Sequence, residues 1–460
     1  MSAHLKSPGE QANGAQAQQP AGLPRLLRGI PAEGALSLSE HLAVHGEAPL
    51  AHGRRERRNA AALIDRVERA GLCGRGGAGF PTAVKMRAVA GARGRPIVVI
   101  NGAEGEPASL KDRTLLGALP HLVLDGGVLA AQAVGADELI VGVCESSDVD
   151  ALQRAIAERR GTADGSLRIR LATVPEHYVA GQEAALVNHL NGGPALPTFT
   201  PPMIFERGVS RRPTLVNNAE TLAHLALIAR HGSAWFRQLG TAAEPGSTLV
   251  TLSGPVAYPG VYEVEQGASL ASLIEAAGGA TARVRAVLLG GYAGAWVGAQ
   301  ALSGLALSDE HLAPHGATLG AGVVLLLSED ACGVAETSRV TRWLARESAG
   351  QCGPCVHGLD ALASSIEEVA SGAARGKARQ RIARFASLAR GRGACSHPDG
   401  AVRLIVSALE VFAEDFADHA RHGICDACRR PGELPLPARA KTSATQAVRA
   451  KPAVAGTAGR

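Results

Sequence analysis

Long apolar runs are missing from this 460-residue chain. No stretch reaches membrane-spanning length without a charge or a breaker, so direct membrane insertion is not expected. The first residues, MSAHLKSPGEQANGAQAQQPAG, lack the apolar core of a secretory leader, which points to the cytoplasm. An excess of one charge is missing too. The balance of 47 Lys+Arg against 42 Asp+Glu gives +5, too mild and dispersed for a nucleic-acid-binding surface. The densest basic run, Arg54-Arg55-Glu56-Arg57-Arg58, reads as a solvated helix start. Aromatic residues are scarce, whereas Ala, Gly and Arg are abundant. Cysteine is limited to eight residues, and without a leader their C-x-x-C spacings suggest metal or redox chemistry before structural disulfides. The length predicts two or three domains.

What is present is a concentration of glycine at Gly74-Arg-Gly-Gly-Ala-Gly-Phe-Pro-Thr-Ala-Val-Lys85. Four glycines in six residues imply a backbone in unusual conformations or one lying flat against a ligand. Arg75 and Lys85 bracket the run with positive charge, a combination that suits a phosphate. The spacing Gly74-x-Gly76-x-x-Gly79 matches the dinucleotide fingerprint, but its context does not. Leu63, Val67 and Ala70 before it share a helical face, and the nearest good strand, Ile97 to Ile100, follows. A Walker loop is excluded because no Gly-Lys-Ser/Thr closes the run. A plain glycine-rich surface turn is the bland alternative.

The elements that follow predict an α/β sheet. Strands are expected at residues 96–101, 139–143 and 167–171, and helices at 120–134 and 149–159, the latter capped by Asp148. Glu104 and Glu106 sit just beyond the first strand's carboxyl end, where ligands of such sheets bind. A helix is expected from His177 to about Asn191. In PTLVNNAET, the asparagines read as a helix cap in preference to a ligand contact. From Ser247, strand–turn–strand, a short helix and further strands at 286–289 and 323–327 make a small β-grasp-like module with no catalytic constellation. From Val334 to Phe416 the chain turns helical, with stripes Leu359, Leu362, Ile366, Val369 and Val402, Ile405, Leu409, Phe412, Phe416. The expected division is 23–240, 247–330 and 334–430, with residues 1–22 and 437–460 disordered.

Three blocks, GRGGAGFPTAVK, NGAEGEP with Lys111-Asp112-Arg113, and ESAGQCGPCVHG, closely resemble the flavoprotein subunit of respiratory NADH dehydrogenase and the related NAD-linked hydrogenase and formate dehydrogenase subunits. HYVAGQEAAL and PTLVNNAETLAH match in order, so the resemblance covers roughly residues 55 to 415. It implies an α/β FMN-binding domain, a β-grasp domain and a C-terminal helical iron–sulfur domain. It also implies an FMN site on Gly74, Arg75, Gly76, Gly77 and Lys85. Asn101, Glu104, Tyr178, Gly181, Glu183, Asn217 and Asn218 would line the flavin and nicotinamide, with Glu104 and Glu183 as the catalytic candidates. Phe80 would stack on the adenine of NADH. Hydride would pass from NAD(P)H to FMN, then single electrons to a 4Fe–4S or 3Fe–4S cluster and to an iron–sulfur partner. That partner would be a ferredoxin or a thioredoxin-like ferredoxin subunit, with the chain cytoplasmic or peripheral to a membrane complex.

Four positions depart from the family pattern. Ala349 replaces the first cluster cysteine, leaving Cys352, Cys355 and Cys395, whereas a cubane normally takes four thiolates. Ala103, Gln182 and Ala88 alter the nucleotide face. The cluster could use three cysteines with or without an outside ligand, recruit Cys425 or Cys428, or be lost. Zinc on the two C-x-x-C pairs is a further option, favoured slightly by His422. Cys144 and Cys332 read as inert core residues and Cys73 as a bystander. The competing functions are a paralogue that has lost NADH oxidation and serves a ferredoxin-type carrier, and a non-catalytic assembly subunit.

Overall fold

A computed structural model describes residues 22–50, 57–145, 149–160, 167–374 and 377–437. The expected terminal disorder at 1–22 and 437–460, except at Gly22 and Pro437, lies outside the described residues, as do the basic run up to Glu56 and the Asp148 cap. Helices α1 (Leu38–His45), α2 (Arg57–Ala70) and α3 (Thr82–Ala90) precede strand β1 (Ile97–Gly102). Then come α4 (Lys111–Ala118), α5 (Pro120–Val134), β2 (Glu138–Cys144), α6 (Val149–Glu158), β3 (Arg168–Val174), α7 (Glu183–Leu190), β4 (Thr214–Asn218), α8 (Ala219–His231) and the single turn α9 (Ser233–Phe236). The strands form a parallel sheet in the order β3-β2-β1-β4.

Ile97 to Ile100 are fully buried, as strands covered on both faces require. Helices α5 and α8 cross so closely that a Cβ on Gly126 would stand 1.9 Å from the Leu222 carbonyl oxygen. Several elements are additions to the sequence reading, α1 and α4 among them. The glycine loop opens α3 directly, and TLVNN forms β4, too short and polar-ended to show a strand period. The stretch from His177 enters its helix through a 3₁₀ turn, Tyr178–Gly181.

The second unit holds β5 (Ser247–Ser253), β6 (Gly260–Glu265), α10 (Leu270–Ala276), β7 (Val284–Leu289), β8 (Ala295–Gly298), the short α11 (Asp309–Leu312) and β9 (Val323–Ser328). Its sheet order is β6-β5-β9-β7-β8, the expected β-grasp-like module. Helices α12 (Gly333–Arg346), α13 (Leu359–Ala370), α14 (Ala378–Ala389), α15 (His397–Val411) and α16 (Ala413–His422) make the third. Both expected apolar stripes are buried in one core, which also includes Tyr292 and Trp296 of the β-grasp unit. Among the described residues no single helix is long and apolar enough to cross a membrane.

Candidate functional site

The glycine loop closes on itself beside the carboxyl ends of β1 and β4. Cys73 pairs with Pro81 in a bridge, and Gly74 N–H donates to the Phe80 carbonyl at 2.9 Å. Gly77 and Gly79 take φ of +106° and +61°, open to glycine at little cost. Gly76 rests against Asn218, where an added Cβ would meet the side chain at 3.4 Å.

Around this loop the chain gathers polar groups from four segments. Lys85 Nζ on α3 donates to Glu183 Oε2 at 2.8 Å and to the Val216 carbonyl at 3.0 Å. Asn101 Nδ2 at the end of β1 donates to the Gly181 carbonyl at 2.8 Å. Gly181 must be small, because a Cβ there would stand 2.4 Å from the Ala103 carbonyl oxygen. Asn218 caps α8, accepting from Glu220 N–H at 3.0 Å, as expected of the asparagine pair. Its neighbour Asn217 is buried, and its Nδ2 has no hydrogen-bond partner among the described residues. A buried donor left unanswered costs about 1–3 kcal/mol, so this amide calls for an acceptor. With the glycine cradle and Lys85, that orphan donor fits the polar edge and phosphate of a flavin.

Three expected site residues are held in other ways. Arg75 turns its guanidinium to the carbonyls of Pro245 (3.4 Å) and Ser247 (3.2 Å), tying the loop to the start of β5. The Arg75 N–H also donates inward, to Thr221 Oγ1 at 2.9 Å. Glu104 caps α4, accepting from Ser109 Oγ at 2.5 Å and from the N–H groups of Asp112 and Arg113 at 3.2 Å. Burial raises its carboxyl above the usual range, with Asp112 adding to the rise. Tyr178 packs its ring at the helical unit, edge-on to Trp343 with centroids 5.2 Å apart and beside His397. Phe80 stands half exposed on the loop, with a face open to stacking.

Beneath the site lies a buried ionic cluster. Lys111 pairs with Asp112 at 2.9 Å and Glu220 at 3.1 Å and donates to Asn218 Oδ1 at 3.2 Å. Burial disfavours the Lys111 charge, but Asp112, Glu220 and Glu104 hold the ammonium well above its ordinary range.

The segment 177–183 also faces the cysteines. Tyr178 N–H donates to Glu347 Oε2 at 2.9 Å, just ahead of the Ser348–Cys355 loop. Gln182 Nε2 lies 3.9 Å from Cys395 Sγ. Burial pushes the Cys355 thiol up to about 11, with neighbouring Cys352 and Cys395 adding to the rise. Three thiols thus meet at this end of the bundle, and Ala349 supplies none.

Comparisons with known proteins agree with this arrangement. Residues 67–227 match the Nuo51 FMN-binding domain, 249–291 the SLBB domain, and 335–419 the NADH-ubiquinone oxidoreductase-F iron-sulfur binding region. The second NADH-quinone oxidoreductase F subunit of Rhizobium meliloti is 33% identical over 381 residues, covering 79% of this chain and 90% of that protein. The chain belongs to the family of NADH-quinone oxidoreductase F subunits.

The F subunit of the Streptomyces coelicolor NADH-quinone oxidoreductase is 32% identical over 372 residues, covering 78% of this chain and 82% of that protein. The chain is also similar to a solved NAD+-reducing [NiFe]-hydrogenase in its H2-reduced state, at TM-score 0.74 and 32% identity. That match covers 80% of this chain but only 64% of the hydrogenase chain. As a family member the protein is an oxidoreductase with an FMN-binding domain and a 4Fe–4S-binding region.

The remaining cysteines divide in a way that sequence spacing did not show. Cys332 is the N-cap of α12, whereas Cys352 and Cys355 follow that helix's other end. Fourteen residues at 1.5 Å rise make α12 about 21 Å long. Cys425 and Cys428 lie with Cys332 and His419, all ligand atoms within 4.8 Å of one another. Cys425 and Cys428 therefore lie at the end of α12 away from Ala349, and Cys332, expected as an inert core thiol, is buried beside them. His422, the histidine favoured from sequence, is exposed, and His419 one turn earlier takes its place.

Proposed function

We propose that the chain oxidises a reduced nicotinamide nucleotide at an FMN held by Gly74, Gly76, Gly77, Lys85, Asn101, Gly181, Asn217 and Asn218. Electrons then leave through an iron–sulfur centre on Cys352, Cys355 and Cys395 to a partner protein. The observation that carries this reading is the short segment Tyr178–Glu183. On one side Glu183 pairs with Lys85 and Gly181 receives Asn101; on the other Gln182 reaches Cys395 and Tyr178 holds Glu347. One stiff turn thus spans the flavin cradle and the cysteine loop.

Bound FMN supplies a two-electron hydride acceptor that can release electrons singly. The protein's share is placement and electrostatics. Loop N–H groups and the Lys85 ammonium would hold the phosphate, and the Asn217 amide would answer a ring-edge acceptor. Glu183 fixes Lys85 and presents a carboxylate at the mouth of the site, while Phe80 offers a ring to the nucleotide base. Glu104, occupied in capping α4, acts through the position of β1's end. Cys352, Cys355 and Cys395 would hold a 3Fe–4S cluster, or a 4Fe–4S cluster with one outside ligand. An iron–sulfur protein partner, a ferredoxin or a thioredoxin-like ferredoxin subunit, would receive the electrons.

Anaerobic addition of NADH, and separately NADPH, to the flavin-loaded protein tests this. Bleaching of the flavin absorbance by either nucleotide is expected. A flavin that dithionite reduces but neither nucleotide does would replace this reading with the paralogue serving a ferredoxin-type carrier.

A further inference from the structure

We propose that Cys332, His419, Cys425 and Cys428 bind one structural zinc ion, at the opposite end of the bundle from the iron–sulfur centre. The four residues come from three elements: the cap of α12, the last turn of α16, and the 3₁₀ turn Asp426–Arg429. Cys425 Sγ and Cys428 Sγ are 3.6 Å apart, Cys332 Sγ and His419 Nε2 3.6 Å, and Cys428 Sγ and His419 Nε2 3.7 Å. Zn–S bonds of about 2.3 Å and Zn–N bonds of about 2.0 Å at tetrahedral angles place sulfurs about 3.8 Å apart and sulfur and nitrogen about 3.5 Å apart. The observed spacings match a single tetrahedral ion. A cubane binds each thiolate at a separate corner and needs a wider set.

The surroundings prepare each donor. His419 Nδ1 lies 3.3 Å from the Val369 carbonyl; donating its proton there leaves the Nε2 lone pair facing the sulfurs. Cys332 Sγ accepts from Ala335 N–H at 3.4 Å in the first turn of α12, where the helix field favours a thiolate. Cys332 and His419 are buried, so the set is closed on the inner side. Four protein donors leave no open position, which marks the site as structural. Zinc entering takes the place of the three thiol protons, which pass to solvent, and no electron is transferred.

The ion would anchor a strap. Beyond Cys428 the chain crosses to the β-grasp unit, where Glu433 Oε2 accepts from Ser328 N–H at 3.0 Å and Leu434 is buried. The N–H groups of Glu433 and Leu434 donate to the Glu336 carboxylate at 2.9 and 3.3 Å. Tyr292 closes the strap by donating to the Pro435 carbonyl. The metal therefore fixes the point from which the C-terminal segment clamps two units together.

Metal analysis of the full chain, purified without chelator, tests the site. About one zinc per chain is expected, falling to under about a tenth in Cys428→Ser and in Cys332→Ser and unchanged in Cys352→Ser. Zinc-edge X-ray absorption of the wild-type protein should show three sulfurs and one nitrogen, and does not depend on any variant folding. Absence of zinc from protein made in zinc-supplemented medium, iron at this position, zinc that survives both substitutions, or a different donor shell would overturn the proposal.

Discussion

Lys111 and Asp125 are charged and buried in the α/β unit, and both find their counter-charges within the chain. Lys111 has Asp112 and Glu220. Asp125 on α5 meets Arg159 at 2.8 Å, His41 at 2.9 Å, and Arg230. The helical unit is different. Its clustered polar groups are thiols and one imidazole, which offer each other only weak hydrogen bonds at 3.6 to 3.7 Å. In the first unit these two buried charges are answered from within, and the buried Asn217 amide is among the groups left for a ligand. The second has donors at both ends of α12 whose full compensation needs metal. The contrast predicts that the α/β unit is most easily broken by charge removal, and the helical unit by changing its ligand count.

The largest effect should come from Asp125→Ala. Although burial works against its charge, the His41 hydrogen bond and the two guanidinium groups hold the Asp125 carboxyl well below the usual range. Removing it strands Arg230 and His41 beneath α1, a loss of about 3–5 kcal/mol for one partner of a buried pair. Urea unfolding should show that loss while the zinc content stays unchanged. An equal loss of zinc would mean that the two units do not keep their compensation separate.

Next in size is a pH effect at the joint between units. Glu106 accepts from Tyr292 N–H at 2.8 Å and Ala108 N–H at 3.3 Å, and burial pushes its carboxyl up to about 7. A folded-state value above the unfolded one means the native protein holds this proton more tightly. The group's contribution is therefore most favourable below about pH 4.5, declines as pH rises to about 7, and is flat above, a span of about 3 kcal/mol. Glu106→Gln keeps an acceptor without the titration. Its stability relative to wild type should rise by about that amount between pH 5 and pH 8. A difference independent of pH would show the carboxylate already compensated, as Lys111 is.

Much of this architecture was legible in the chain. The apolar runs of β1 and β2 and the stripes of α13 and α15 fix their own burial, and the glycine loop with its matched blocks marked the flavin site. β4 was not legible, because Thr-Leu-Val-Asn-Asn is half polar and its strand character comes from pairing with β1. The direction of Arg75 was not legible for a related reason: two of its contacts are the carbonyls of Pro245 and Ser247, 170 and 172 residues away. Cys332 and His419 stand 87 residues apart, so no spacing could join them. Only the antiparallel return of α13 along α12, with α16 packed across them, brings Val369, Cys332 and His419 to one point.

The smallest predicted effect bears most directly on the contrast between the two ends of α12. The far end has four donors around one point; the near end has three, with Ala349 where a fourth would stand. If ligand number is what separates them, Ala349→Cys should bring the near end to parity without altering the far one. Iron retained through a desalting column in the presence of chelator is expected to rise about threefold, since a fourth thiolate removes the position at which a cluster exchanges its outside ligand. Zinc content and the flavin spectrum should not change. Unchanged iron retention would mean that the fourth corner is already firmly held from outside, and then the two ends would differ in where their last ligand originates and not in how many they have.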